Sequence, residues 1–180
     1  MARFQEVTRE SLSPEGQAAW DSIVGSRGSV RGPFRVLMAV PQIAGRVGAV
    51  GEYLRYGGIL KGADRELGIL VAARESSSRY EWLAHEPIGR EEGTSGQAIE
   101  AVRSGTGVEG LTPREQVIIE VGRSLFRTKA VSDELFERAV AEFGREQVLE
   151  LMTLFGYYGM LAFVLNGFEV PLPDDAPPTF

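Results

Sequence analysis

A single histidine, His85, stands four residues after Glu81 and 19 after Glu66 in the stretch RELGILVAARESSSRYEWLAH, residues 65–85. An imidazole gives or takes a proton near neutral pH, above all when a carboxylate orients its second nitrogen. On a helix the four-residue step puts Glu81 and His85 on one face, one turn apart. Glu66 joins them only if two helices pack side by side. These types and spacings suit a proton-transfer site, and they equally suit a half-buried Glu–His link worth a few tenths of a kcal/mol. A divalent cation is a third use for Glu66, Glu81 and His85. One nitrogen falls short of the usual zinc donor set, however, and the second Glu-x-x-His of a di-iron bundle is missing, so no metal is expected. Ser76, Ser77 and Ser78 lack a Gly-x-Ser-x-Gly setting, and no Gly-rich phosphate loop follows a strand, which leaves hydrolase and nucleotide chemistry without support.

The elements that must hold these side chains read as helices. Leu67, Ile69, Leu70 and Val71 lie in an alanine-rich run, and the three serines break it. Ser78 and Glu81 match the Ser-x-x-Glu capping box, so the next helix is expected to begin at Arg79 with Tyr80 and Trp82 as packing residues. Pro87 should kink it by leaving the Leu83 carbonyl without a partner. Upstream, Ser13-Pro14-Glu15 opens a short helix towards Val24. The glycine- and charge-rich segment GSRGSVRGP, residues 25–33, reads as a loop that either lines a pocket or merely connects. Pro41 opens a helix over 42–59 whose glycines at 45, 48 and 51 suggest close helix approach, since each costs about 1 kcal/mol against alanine. Downstream, Thr94-x-x-Gln97 and Thr112-x-x-Glu115 predict capping boxes for helices at 95–104 and 113–127, and Ser132 opens another to Phe143.

The last helix, expected over 145–166, is apolar on nearly every face, so it should be buried all round in the core or against another subunit. The tail EVPLPDDAPPTF is proline-rich and should run extended or wrap over a neighbour. No strand alternation appears, and the class is all-α. We read one domain over residues 1–180: an N-terminal helix and loop (1–34), a core carrying the site (35–110), C-terminal helices (111–168) and an extended tail (169–180).

Composition narrows the partners. A net charge of −6 and a pI near 5.0 disfavour nucleic acid and anionic membrane surfaces, which are bound through clustered Lys and Arg. There are 0 cysteines, so thiol nucleophiles and thiolate metal sites have no residue to build on. Neither a signal core nor a run of roughly 18–20 apolar residues of the bilayer-spanning kind is present, and a cytoplasmic location is expected.

Arg65-Glu66-Leu67, Tyr80-Glu81-Trp82 and His85, followed by Gly93-Thr94 and Ala98-Ile99, resemble the carboxymuconolactone decarboxylase family. The resemblance runs from about Gly32 to Phe168, and Glu150, Gly156-Tyr157 and Leu165-Asn166-Gly167-Phe168 resemble its longer members. The 19-residue step from Glu to His is shared with the wider alkylhydroperoxidase D-like superfamily, a helical fold of about seven to eight helices. The peroxidase branch of that superfamily carries a Cys-x-x-Cys before its histidine, and those positions here are Ser78 and Glu81. The resemblance therefore points away from peroxidase and disulfide-reductase activity. It implies a cofactor-free homo-oligomer (dimer, trimer or hexamer) acting on a small-molecule substrate.

In the reaction so implied, a carboxylated unsaturated lactone loses CO2 and its electrons flow into the lactone carbonyl as a dienolate. The substrate is its own electron sink, so the protein need only hold the carboxylate, stabilise the oxyanion and deliver a proton. The resemblance casts His85 as proton donor, Glu66 as its orienting partner and Glu81 as a second acid near the leaving group. A dianionic substrate beside two acids calls for a cation, and Arg35, Arg55, Arg74 and Arg79 are the candidates. The alternative function is a non-catalytic helical oligomer that binds a small ligand in a remnant of the site.

Overall fold

A computed structural model describes residues 3–180. Eight helices follow one another with no strand among the described residues: α1 (Pro14–Arg27), α2 (Pro33–Leu37), α3 (Pro41–Glu52), α4 (Gly62–Glu75), α5 (Arg79–Glu91), α6 (Gly96–Ser104), α7 (Pro113–Thr128) and α8 (Asp133–Gly167). A 3-10 turn (Arg9–Ser11) precedes α1, and a single π turn (Tyr53–Gly57) continues α3.

Helix α4 is the axis of the bundle, packed against α5, α6, α7 and α8. The alanine-rich run that reads as a helix in sequence is buried from Glu66 to Ala73. The α7 and α8 backbones come close to it because Gly122 offers no side chain: a Cβ there would sit 2.5 Å from Val71 Cγ1 and 2.8 Å from Phe155 Cζ. A second, smaller core of Ile23, Phe34, Met38 and Ala44 joins α1, α2 and α3. Gly45 and Gly48 face Ala19 and Ile23 of α1, the close approach that the glycine spacing suggests.

Several boundaries shift for local reasons. Helix α1 runs past Val24 to Arg27 and stops on Gly28 at φ 76°. The loop expected over 25–33 shrinks accordingly, and α2 follows it. The helix expected over 42–59 ends at Glu52, and the π turn takes up the next residues. Ser95 rather than Thr94 caps α6 by accepting from Ala98 N, while Thr94 Oγ1 donates to the Ala63 carbonyl. Thr112 and Glu115 form the full reciprocal box at α7. Pro87 lies inside α5, which carries on to Glu91. At Gly144 the backbone leaves helical geometry (φ 74°, ψ 160°), so α8 is two helical stretches that meet at a kink there, one either side of that residue as the sequence leads one to expect.

Helix α8 is long and apolar enough to cross a bilayer by length and composition, but its most apolar stretch is 61% buried inside this fold. Val148, Leu151, Leu154, Phe155, Leu161 and Leu165 fill the core from one side. Its other side is not covered by the chain: Leu149 is 69% exposed and Phe163 74%. The expectation of burial on every face is therefore not met within one chain. The tail wraps back over α5 of its own chain instead of a neighbour, with Thr179 buried beside Arg79 and Arg103.

Candidate active site

Helices α4 and α5 lie side by side and bring Glu66 to His85. Glu66 is wholly buried, and its Oε2 accepts from His85 Nδ1 at 2.7 Å. Its other oxygen accepts from Arg65 Nε at 2.9 Å, and Arg65 is itself held by the Arg55 carbonyl at 2.9 Å. Burial pushes the Glu66 carboxyl up, but the hydrogen bonds and charges of His85 and Arg65 together outweigh it and hold the group below the usual carboxylate range. An ionised Glu66 accepts a proton at Nδ1 and so orients the ring. Tyr158 fixes the ring plane further by an edge contact, with centroids 5.2 Å apart at 87°.

Glu81 lies on the opposite edge of the imidazole, its Oε2 3.5 Å from His85 Nε2. Burial pushes this carboxyl up, and the charges of His85 and Arg55 offset only part of that. The two acids thus carry opposite protonation biases, Glu66 towards the anion and Glu81 towards the neutral acid, the pattern that separates proton acceptor from donor in one site. The expected capping box at Ser78 and Glu81 does not form: Ser78 makes no cap hydrogen bond, and its buried Oγ has no partner among the described residues. Glu81 is turned to the imidazole instead. Glu66 and Glu81 flank the His85 ring on different edges, and no His, Asp or Glu group of metal-binding geometry occurs among the described residues.

Glu81 and His85 open into a cavity of about 270 Å³. Its walls include Tyr80, Tyr157 and Tyr158 with apolar Phe34, Ile88 and Leu161, and three arginines line it, Arg27, Arg31 and Arg55; the Arg27 guanidinium also donates to the Gly48 carbonyl at 3.1 Å and lies over the Phe34 ring at 4.7 Å. Burial raises all three tyrosines above the usual phenol range, so they stay neutral donors.

Of the arginines singled out in the sequence, Arg55 lines this cavity and its charge acts on Glu81. The others are committed elsewhere. Arg35 pairs with Glu6 and lies 5.5 Å from the Phe4 ring. Arg74 stacks on Phe180 at 4.8 Å, and Arg79 donates to Thr179 Oγ1 at 3.0 Å. Arg27 and Arg31 were missed as site residues. The signal for them was the glycine- and charge-rich segment 25–33, where Gly32 at φ 56° brings the backbone against Tyr80; a Cβ there would be 2.8 Å from Tyr80 Cε1.

The arrangement belongs to a known fold. The structure is similar to a crystal structure of an alkylhydroperoxidase AhpD core, an uncharacterized peroxidase-related protein from Ralstonia eutropha, with TM-score 0.78 over 97% of this chain and 93% of that one at 16% identity. An uncharacterized peroxidase-related protein from Silicibacter sp. matches with TM-score 0.70 at 18% identity, over 91% of this chain and 87% of that one. A protein of unknown function from Agrobacterium tumefaciens matches with TM-score 0.64 at 19% identity, over 77% of this chain and 96% of that one. No family profile matches the sequence, and no curated protein matches it either. The chain has the AhpD-like helical fold. It carries no cysteine with which to perform thiol chemistry on it.

Proposed function

We propose that this chain is a carboxymuconolactone decarboxylase-like carboxy-lyase, which performs cofactor-independent decarboxylation or the related proton-transfer isomerisation of a small carboxylated lactone. The observation that carries the reading is the pair of buried carboxyl groups on either edge of His85, one biased to the anion and one to the neutral acid, opening into a cavity lined by arginines.

In this reading Arg27, Arg31 and Arg55 hold the substrate's carboxylates. These arginines offset the conflict between acids and an anionic substrate, helped by Arg65 beside Glu66 and by the burial that biases Glu81 towards the neutral acid. The bond to the departing carboxylate breaks, CO2 leaves, and the electron pair moves through the C=C bond into the lactone carbonyl. Tyrosine hydroxyls at the wall donate to the oxygen where that charge gathers. Glu81 delivers its proton to the carbanionic carbon and is reprotonated through His85 Nε2. The net change is uptake of one proton and loss of CO2. The resemblance casts His85 as the donor; in the present reading Glu81, buried beside the cavity, takes that role, with His85 behind it and Glu66 orienting the ring. The test is CO2 release from carboxylated butenolides by wild type and His85→Gln: turnover retained in the variant removes the role assigned to the imidazole.

The same proposal includes self-association, in the setting of a cytoplasmic enzyme of small-acid breakdown. Leu149, Gly156 and Phe163 recur every seven residues along the uncovered side of α8, with Met160 beside them. That spacing forms a seam suited to the same helix of a second copy.

A further inference from the structure

The C-terminal segment is fastened at two points with the cavity between them. At its start Val170 is buried with Val36 and Leu165, and Tyr80 packs against that cluster. At its far end the Thr179 carbonyl accepts from Arg103 Nη1 at 3.0 Å, and its hydroxyl accepts from Arg79 Nε at 3.0 Å. The Phe180 ring meets Trp82 edge-on at 5.3 Å, three residues before His85 on the same helix. Between these anchors the residues that reach the cavity are Leu172 and Pro173. Prolines at 171, 173, 177 and 178 limit the backbone freedom that such a strap would otherwise lose on docking. A turn from Pro173 to Ala176 then redirects the chain towards Arg79.

An extended, proline-stiffened segment with one apolar contact over a small cavity acts as a wall whose position is set from both ends. We propose that residues 170–180 form a size filter over the site, with Leu172 and Pro173 as its specificity-determining contacts and the Thr179–Phe180 clasp as the feature that holds them in place. The filter admits compact acids of about one ring and rejects longer ones. It rests on the cavity over His85 being where substrate binds, and it does not depend on which reaction follows.

Because His85 is the sole histidine, access to the cavity can be read from one side chain. Dimethyl, diethyl and dibenzyl dicarbonates acylate imidazole by the same chemistry and differ in bulk. Their rates at His85 are followed by peptide mass and divided by those for N-acetylhistidine. Wild type is expected to disfavour the dibenzyl reagent against the dimethyl one by about tenfold beyond the free imidazole, the scale on which a pocket wall discriminates. Leu172→Ala, at a half-buried tail position, should bring that ratio to within about twofold of the free imidazole. Phe180→Ala should raise all three rates, the dibenzyl one most, by loosening the clasp. An unchanged size ratio in Leu172→Ala, unchanged rates in Phe180→Ala, or a His85 that stays unmodified in all three proteins overturns the filter. None of these results bears on CO2 release, on which the decarboxylase reading stands or falls separately.

Discussion

Replacing Glu66 by Gln keeps the shape of the side chain and removes the charge on which the imidazole is oriented. Glu66 makes two charge-assisted hydrogen bonds in a fully buried position, at 2.7 Å to His85 and 2.9 Å to Arg65. Bonds to charged groups contribute about 1.5–3 kcal/mol each. Gln retains an oxygen for Arg65, and Arg65 keeps the Arg55 carbonyl and the more distant Glu92, so the guanidinium is not stranded. The bond to His85 is the one lost, because an amide N–H now faces Nδ1. The net destabilisation is about 2–3 kcal/mol, which for a domain of this size lowers Tm by about 4–12 °C. The second readout is the tautomer. Imidazole 15N shifts of the single histidine, recorded at alkaline pH on the neutral ring, should show the proton on Nδ1 in wild type and on Nε2 in Glu66→Gln. A Tm within about 2 °C of wild type together with an unmoved proton would refute the orienting role of Glu66.

The neighbouring acid behaves in the opposite sense. Burial raises the folded pKa of Glu81 above its unfolded value, so its contribution to stability is present below the unfolded carboxyl pKa and is lost as pH rises through the folded one. Glu81→Gln cannot ionise, so its Tm relative to wild type should climb as pH rises above the usual carboxyl range, and a difference that stays flat with pH contradicts the neutral-acid assignment. Glu66, held below the usual range, contributes above its unfolded pKa and should weaken the fold only as pH falls. For assembly, sedimentation of wild type should show an oligomer that Leu149→Glu with Phe163→Glu reduces to monomer while helicity is kept. A wild type that sediments as a monomer, or a double variant that leaves the size unchanged, removes the α8 seam.

Much of the scaffold is legible in the chain because its signals are local. Ser13-Pro14, Thr112-x-x-Glu115 and Ser132 mark helix starts through bonds to residues a few positions away, and the structure forms each of them. The α4 run reads as a helix because its alanine-rich composition favours one. The fresh helix start at Arg145-Glu146 is legible because Gly144 before it takes a backbone conformation, φ 74° and ψ 160°, that only glycine adopts readily. What sequence reading loses depends on packing. Ser78-x-x-Glu81 has the form of a capping box, but the burial of α5 against α4 and the reach of Glu81 to His85 decide otherwise. The Glu66–His85 bond requires two helices to lie in register, which spacing allows and only the fold supplies.

The cations illustrate the same limit. Arg74 and Arg79 sit within the right stretch of chain, yet a tail about a hundred residues further on claims Arg79, and Phe180 claims Arg74. Arg27 and Arg31 reach the cavity from a glycine-rich segment whose two readings, pocket or connector, no local rule separates. Acids and histidine reveal themselves by mutual spacing; arginines with long flexible stems do not.

The central claim is that a neutral Glu81 passes a proton to a substrate carbanion through chemistry that needs no cofactor. Its most direct measurement is CO2 release from a carboxylated butenolide in D2O, with the product examined for carbon-bound deuterium, by wild type and Glu81→Gln side by side. Wild type should release CO2 with one deuterium at the former carboxyl-bearing framework, and the variant should lose about 100-fold or more of that activity. Wild type that releases no CO2, or a variant that turns over as fast as wild type, would contradict the claim.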